Sequence, residues 1–187
     1  MIKDPLLRVL FATDFWSTRQ LLAECRALSV EQFAQNLGIG RGSLQSTLTH
    51  GVDAMFLFAD RLDRRPRRMH LSLDGQAYSA VEVTGLFERA AQELEAAVTQ
   101  AVDNHSLDET LNWTDSDDGE IAPEDQITYA VALAQMVDHG IHHRTEAMEM
   151  LRLLGVAGEK PWHPFDWDEA VRLGWPSPQK NLSRFSE

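Results

Sequence analysis

The stretch from Gln126 to Leu154 constrains this chain most, because its apolar residues recur at helical spacing over its whole length. Ala132, Met136, His139, His143, Ala147, Met150 and Leu154 follow steps of 4, 3, 4, 4, 3 and 4. Residues three and four apart share a helix face, so these seven form one stripe. The stripe is apolar except for two histidines on adjacent turns. The opposite side, through Ile127, Val131, Ala134, Ile141 and Met148, is apolar as well. A helix apolar on two sides is expected to be largely buried, which requires other elements packed around it.

Those elements are also helical. Asp4-Pro5 offers a side-chain acceptor followed by a proline whose missing N–H is harmless in a first turn; it opens a helix running to about Leu28. Ser43 caps a second, to about Asp63. Ser79-Ala80-Val81-Glu82 has capping-box spacing and opens a third, ending near Asp103. Pro123, Glu124 and Asp125 are read as the start of the fourth, with carboxylates at the positive end of its dipole, and Gly155 as its stop. The piece between residues 104 and 122 reads as a small hairpin turning near Asp118-Gly119. Four long helices with little strand pattern predict an all-α domain of helices packed side by side. The expected division is a bundle over residues 1–155 and an extension over 156–187. That extension carries Trp162, Phe165, Trp167 and Trp175, with Asp166 and Glu169 placed to cap a short helix ending at Gly174.

Composition narrows the function classes. The net charge of −12 opposes binding to a phosphate backbone, so no nucleic-acid partner is expected. One basic patch, Arg61, Arg64, Arg65, Arg67 and Arg68, has two readings, an anion-binding loop or a solvated connection; it lacks interleaved aromatics for base stacking. The single cysteine, Cys25, excludes a disulfide framework and reads as a buried, inert thiol. Asp4, Arg8 and Asp14 break the apolar run a signal peptide would need, and no stretch approaches the roughly 20 apolar residues of a membrane span. No membrane partner and a cytoplasmic location are therefore expected.

The chemistry concentrates on histidines. His139 and His143 lie one turn apart and point the same way, near enough to grip one ion; a buried pair bonded to backbone is the other reading. Gly140 stands where the zincin motif needs its general-base Glu, so that motif is absent. Of the other histidines, His142 points off the stripe by roughly 100°. His70 and His105 fall in connections and His163 in the extension. His50 lies mid-helix beside Thr47, Ala54 and Leu57, either a ligand or a core histidine bonded to a carbonyl. Asp53, Asp138 and Glu146 are candidates to accept a second imidazole N–H, with solvated carboxylates as the alternative. Trp16 and Trp113 either line a pocket or pack in the core.

A single histidine in the second helix, followed much later by His139-Gly140-Ile141-His142-His143-Arg144 on a long helix that ends in Leu151-Arg152-Leu153-Leu154-Gly155, resembles the DinB/YfiT-like family. The likeness covers residues 1 to about 155. It implies an up-down-down-up four-helix bundle, often dimeric, with three histidines on one divalent metal. Position by position those ligands fall on His50, His139 and His143. Imidazole suits zinc, nickel and copper alike and does not decide the metal; zinc or nickel is the expectation. Relatives work with low-molecular-weight thiols, as S-transferases or thiol-dependent isomerases, so a metal-dependent thiol transferase acting as a homodimer is the expectation. A non-catalytic metal- or ligand-binding bundle is the alternative. This chain departs from the family's frequent HHRGQ at Thr145-Glu146, and groups beside the ligands tune a metal.

Overall fold

The computed structural model describes residues 2–66, 68–71, 76–113 and 125–156. It is mostly helical. Helix α1 spans Pro5–Cys25, α2 Val30–Phe33, α3 Leu44–Leu62, α4 Ala80–Asn104 and α5 Tyr129–Leu153; strands β1 and β2 span Thr110–Trp113 and Asp125–Thr128. The long helices contact one another in turn: α1 meets α4 and α5, and α3 meets the same two. Their facing sides supply the core, with Leu21, Leu22, Phe87, Leu94, Met136 and Met150 nearly or fully buried.

The helix starts follow local chemistry. Asp4 accepts a hydrogen bond from Leu7 N–H at 2.8 Å, with Pro5 in the first turn. Ser43 accepts from Ser46 N–H, and Ser79 and Glu82 form the reciprocal capping box. At the far end of α5, Gly155 N–H bonds to the Arg152 carbonyl and Val156 N–H to Leu151, closing the helix where Gly155 predicts. Helix α1 stops at Cys25, three residues short of Leu28, and tightens into a turn through Arg26 N–H on the Ala23 carbonyl. The connection after it holds an extra helix, α2, whose Ser29–Gln32 pair forms a second capping box.

One boundary needs correction. Pro123, Glu124 and Asp125 do not open the last helix. Asp125–Thr128 is strand, antiparallel to β1 in the register Thr110↔Thr128 through Trp113↔Asp125. Strand pairing outweighs the local helix signal here: Leu111 is buried, β-branched Ile127 and Thr128 suit a ladder, and Thr128 then caps α5 by accepting from Val131 N–H. The expected hairpin is present as this ladder; its turn at Asp118-Gly119 lies outside the described residues, as does the extension beyond residue 156.

The second side of α5 is less buried than its composition suggests. Val131 is 52 % exposed and Ala134 is exposed, while Ile141 and Met148 are half-buried. Two arginines of the basic patch pair with carboxylates, while Arg67 lies outside the described residues. Arg68 forks onto Asp60 at 2.8 and 2.7 Å, reaches Glu93 at 2.7 Å, and lies over the Phe56 ring. Arg65 joins the same carboxylates. These two arginines tie the connection after α3 to α3 and α4.

Candidate metal centre

Helix α3 carries His50 and α5 carries His139 and His143; where the two helices pack, the rings meet. The Nε2 atoms of His50 and His139 lie 3.2 Å apart, and those of His139 and His143 also 3.2 Å apart. All three residues offer ligand nitrogens within 4.8 Å of one another. Ligand nitrogens at about 2.0–2.1 Å from a tetrahedral zinc would be about 3.3 Å apart, so the spacing fits such an ion. The three side chains are half-buried, and His143 is 12 % exposed, enough shelter to exclude bulk water from most of each ring.

Their electrostatics favour the ligand form. Burial pushes the His50 imidazolium down to about 3, helped by the positive Arg41 and the neighbouring rings. Burial and His143 hold His139 down to about 4. His143 is lowered too, chiefly by burial and against the pull of Glu146. Neutral imidazole is what a metal binds.

Glu146 takes the second nitrogen of one ligand. Its Oε2 lies 2.8 Å from His143 Nδ1, so the ring donates there and presents Nε2 to the cluster. The other carboxylate candidates do not act this way. Asp53 accepts from Leu71 N–H at 2.7 Å and lies 3.6 Å from His70. Asp138 is exposed, and His139 Nδ1 is buried with no hydrogen-bond partner among the described residues. His142 points outward as its spacing predicts, 3.2 Å from the second Glu146 oxygen. His105 stacks on Tyr129, away from the site; His163 and the side chain of Trp113 lie outside what is described. Trp16 is buried but outside the main core, against Ala12 on the wall of a groove along α1.

A narrow cavity of about 30 Å³ opens beside His139 and His143. Thr47, Asp14 and Arg144 give it polar walls, and Met55, Phe87 and Met136 apolar ones. Asp14 and Arg144 form a buried ion pair that links α1 to α5. Burial pushes the Asp14 carboxyl up, against the guanidinium. Sequence reasoning missed this pair; the only signal was a lone Asp in the apolar run of the first helix. It also missed Arg41. That residue lies between Gly40 and Gly42 just before α3, and its charge acts on all three histidines.

The model of the DinB family matches residues 3–170. The chain belongs to the DinB family. No curated protein matches it. No helix among the described residues is long and apolar enough to cross a membrane.

Proposed function

We propose that this chain holds one divalent ion, zinc or nickel, on His50, His139 and His143, and works as a metal-dependent transferase with a low-molecular-weight thiol. The observation that carries the reading is the convergence of three imidazole nitrogens, with His139 Nε2 3.2 Å from the Nε2 of both His50 and His143. The supporting frame is an up-down-down-up four-helix bundle, in keeping with the pairwise contacts of α1, α3, α4 and α5. When bound, such an ion would supply the positive charge that deprotonates a thiol at its open position, and the thiolate is the nucleophilic form.

The chain's own residues prepare that site. Glu146 fixes the tautomer and orientation of His143. Burial keeps His50 and His139 unprotonated at neutral pH. Three neutral ligands leave the charge of a divalent ion uncompensated, so an anionic fourth partner is favoured. Met55, Phe87 and Met136 give the neighbouring space an apolar side, opposite the polar Thr47, Asp14 and Arg144.

One observation favours a second reading, a non-catalytic metal- or ligand-binding bundle. The space beside the rings, about 30 Å³, suits a water-sized occupant rather than a substrate. A cobalt-substituted protein separates the two. Catalysis with thiols requires that cellular thiols perturb its visible spectrum and that thiol-dependent turnover of a chromogenic electrophile is lost in His139→Ala. A cobalt spectrum indifferent to every thiol, with equal background turnover in both proteins, leaves the binding-protein reading.

A further inference from the structure

A groove of about 360 Å³ runs along α1, and no histidine lines it. Phe11, Ala12, Phe15 and Trp16 give it apolar walls. Arg8 and Arg19 stand beside them, with Glu95 from α4. These α1 positions recur at steps of three and four, so they share one face of the helix.

Trp16 is the residue whose burial the bundle does not explain. It is 9 % exposed. Yet it stands outside the main core, and Ala12 is the apolar side chain among the described residues that packs against it. An aromatic side chain buries roughly 150–250 Å², more than one alanine covers. The bundle core does not supply the remaining apolar cover.

The chain beyond α5 starts within reach of this groove. Gly140 lies against Asp14 and Arg144 against Thr18, so α1 and α5 run parallel. The end of α5 therefore lies about level with the end of α1. Trp16 is roughly 14 Å back along α1 from Cys25, at about 1.5 Å per residue. Trp162 follows Val156 by six residues and Trp167 by eleven. Extended chain at about 3.3 Å per residue carries them about 20 and 36 Å. The match to the DinB family also runs past Val156, to residue 170.

That segment suits the groove chemically. Trp162, Phe165 and Trp167 offer apolar rings, and Asp166, Asp168 and Glu169 offer charge opposite to Arg8 and Arg19. Pro161 and Pro164 have fixed φ, which lowers the entropy that docking must overcome. A short tether also gives the segment an effective concentration in the millimolar range, above that of a second copy.

We propose that residues 161–167 dock in the α1 groove of their own chain, with the rings of Trp162 and Trp167 on the wall formed by Ala12 and Trp16. The docked segment clasps α1 to α5, the two helices that Asp14 and Arg144 join. This inference is independent of the metal and thiol reading.

The test uses the full chain labelled with 5-fluorotryptophan, its five resonances assigned by replacing each Trp with Phe in turn. Trp162→Ser combined with Trp167→Ser should shift the Trp16 resonance and open it to solvent, read by its isotope shift in heavy water. Ala12→Arg, which fills the groove, should shift the Trp162 and Trp167 resonances. It should also speed chymotrypsin cleavage between residues 162 and 168 about tenfold, with the circular dichroism of the helices unchanged. Neither effect should depend on protein concentration. The double substitution lies outside the bundle, so it decides the matter where Ala12→Arg fails to fold. A Trp16 resonance indifferent to the double substitution, or equal cleavage in a folded Ala12→Arg and the parent, overturns the docking. Effects that fade on dilution overturn it as well and assign the groove to a second copy.

Discussion

Glu146 Oε2 lies 2.8 Å from His143 Nδ1, so a single turn of α5 holds both a candidate ligand and the carboxylate that orients it. Gly40 packs its backbone against the same carboxylate, which leaves Glu146 little freedom to turn away. Glu146→Gln preserves the size of the side chain and removes the charge that fixes the His143 tautomer. Metal affinity should fall about 10–100-fold, as loss of such an orienting partner does elsewhere. Competition with a chromogenic chelator measures it; unchanged affinity would show that Glu146 is only a surface carboxylate.

Removal of the ion should leave the helices standing. The core of α1, α3, α4 and α5 is continuous without the histidines, unlike that of a domain too small to fold without its metal. Circular dichroism after chelation should retain most of the helical signal. His143→Ala should lose stoichiometric metal, read by elemental analysis, while keeping its helicity. Collapse of the helical signal on chelation would make the ion structural and favour the non-catalytic reading.

The contact between α1 and α5 depends on a missing side chain. A Cβ on Gly140 would run into the Asp14 carboxylate and the Arg144 guanidinium, two groups that pair across the helices while buried. Gly140→Ala should therefore push the helices apart and weaken the pair. Asp14→Ala would strand a buried guanidinium, and breaking a buried pair from one side costs about 3–5 kcal/mol. Urea denaturation should place both variants well below the parent; a shift of less than about 1 kcal/mol in either would show that water reaches the pair.

Legibility in the sequence followed the range of the interactions. His139 and His143 were readable because helical periodicity places them together, whereas for His50 the local residues left ligand and core histidine both open, and the family resemblance favoured the ligand; its approach to His139 spans 89 residues. The starts of α3 and α4 were readable from Ser43 and from Ser79-Glu82, whose bonds are local. The start of α5 was not, because the pairing of Asp125–Thr128 with Thr110–Trp113 decides it. Asp14 and Arg144 lie 130 residues apart, and no local pattern announces their pairing. Helix α2 is a different case: its Ser29–Gln32 capping box is local, but a helix of four residues leaves too short a periodic pattern to read.

A two-fold homodimer is the expected solution state, since α5 carries exposed apolar residues that the described part of the chain leaves uncovered. Val131 is 52 % and Leu153 50 % exposed, with half-buried Ile141 and Met148 on the same helix. Two-fold pairing is the commonest oligomer and places the same face against itself. Sedimentation should give a dimer at micromolar concentration, and Val131→Lys should shift it towards monomer. A parent protein that is monomeric throughout that range would defeat the expectation.

Cys25 should be silent in the folded protein. It is fully buried at the end of α1, and burial, with the nearby Glu24, pushes its thiol up to about 12. At pH 8 almost none of it is thiolate, and the thiolate is the reactive form. A disulfide reagent should therefore leave it unmodified under native conditions and react with one thiol per chain in denaturant. The sign of the linkage follows from the same shift. The unfolded thiol ionises near its ordinary 9.0, before the folded one does, so this group's contribution to stability is complete below pH 9 and is lost as pH rises towards about 12. Cys25→Ala, which removes the group, should show a shallower fall in its urea midpoint between pH 9 and 11 than the parent. Rapid native labelling at pH 8, or an identical alkaline slope in the variant, would show that the thiol is open to solvent.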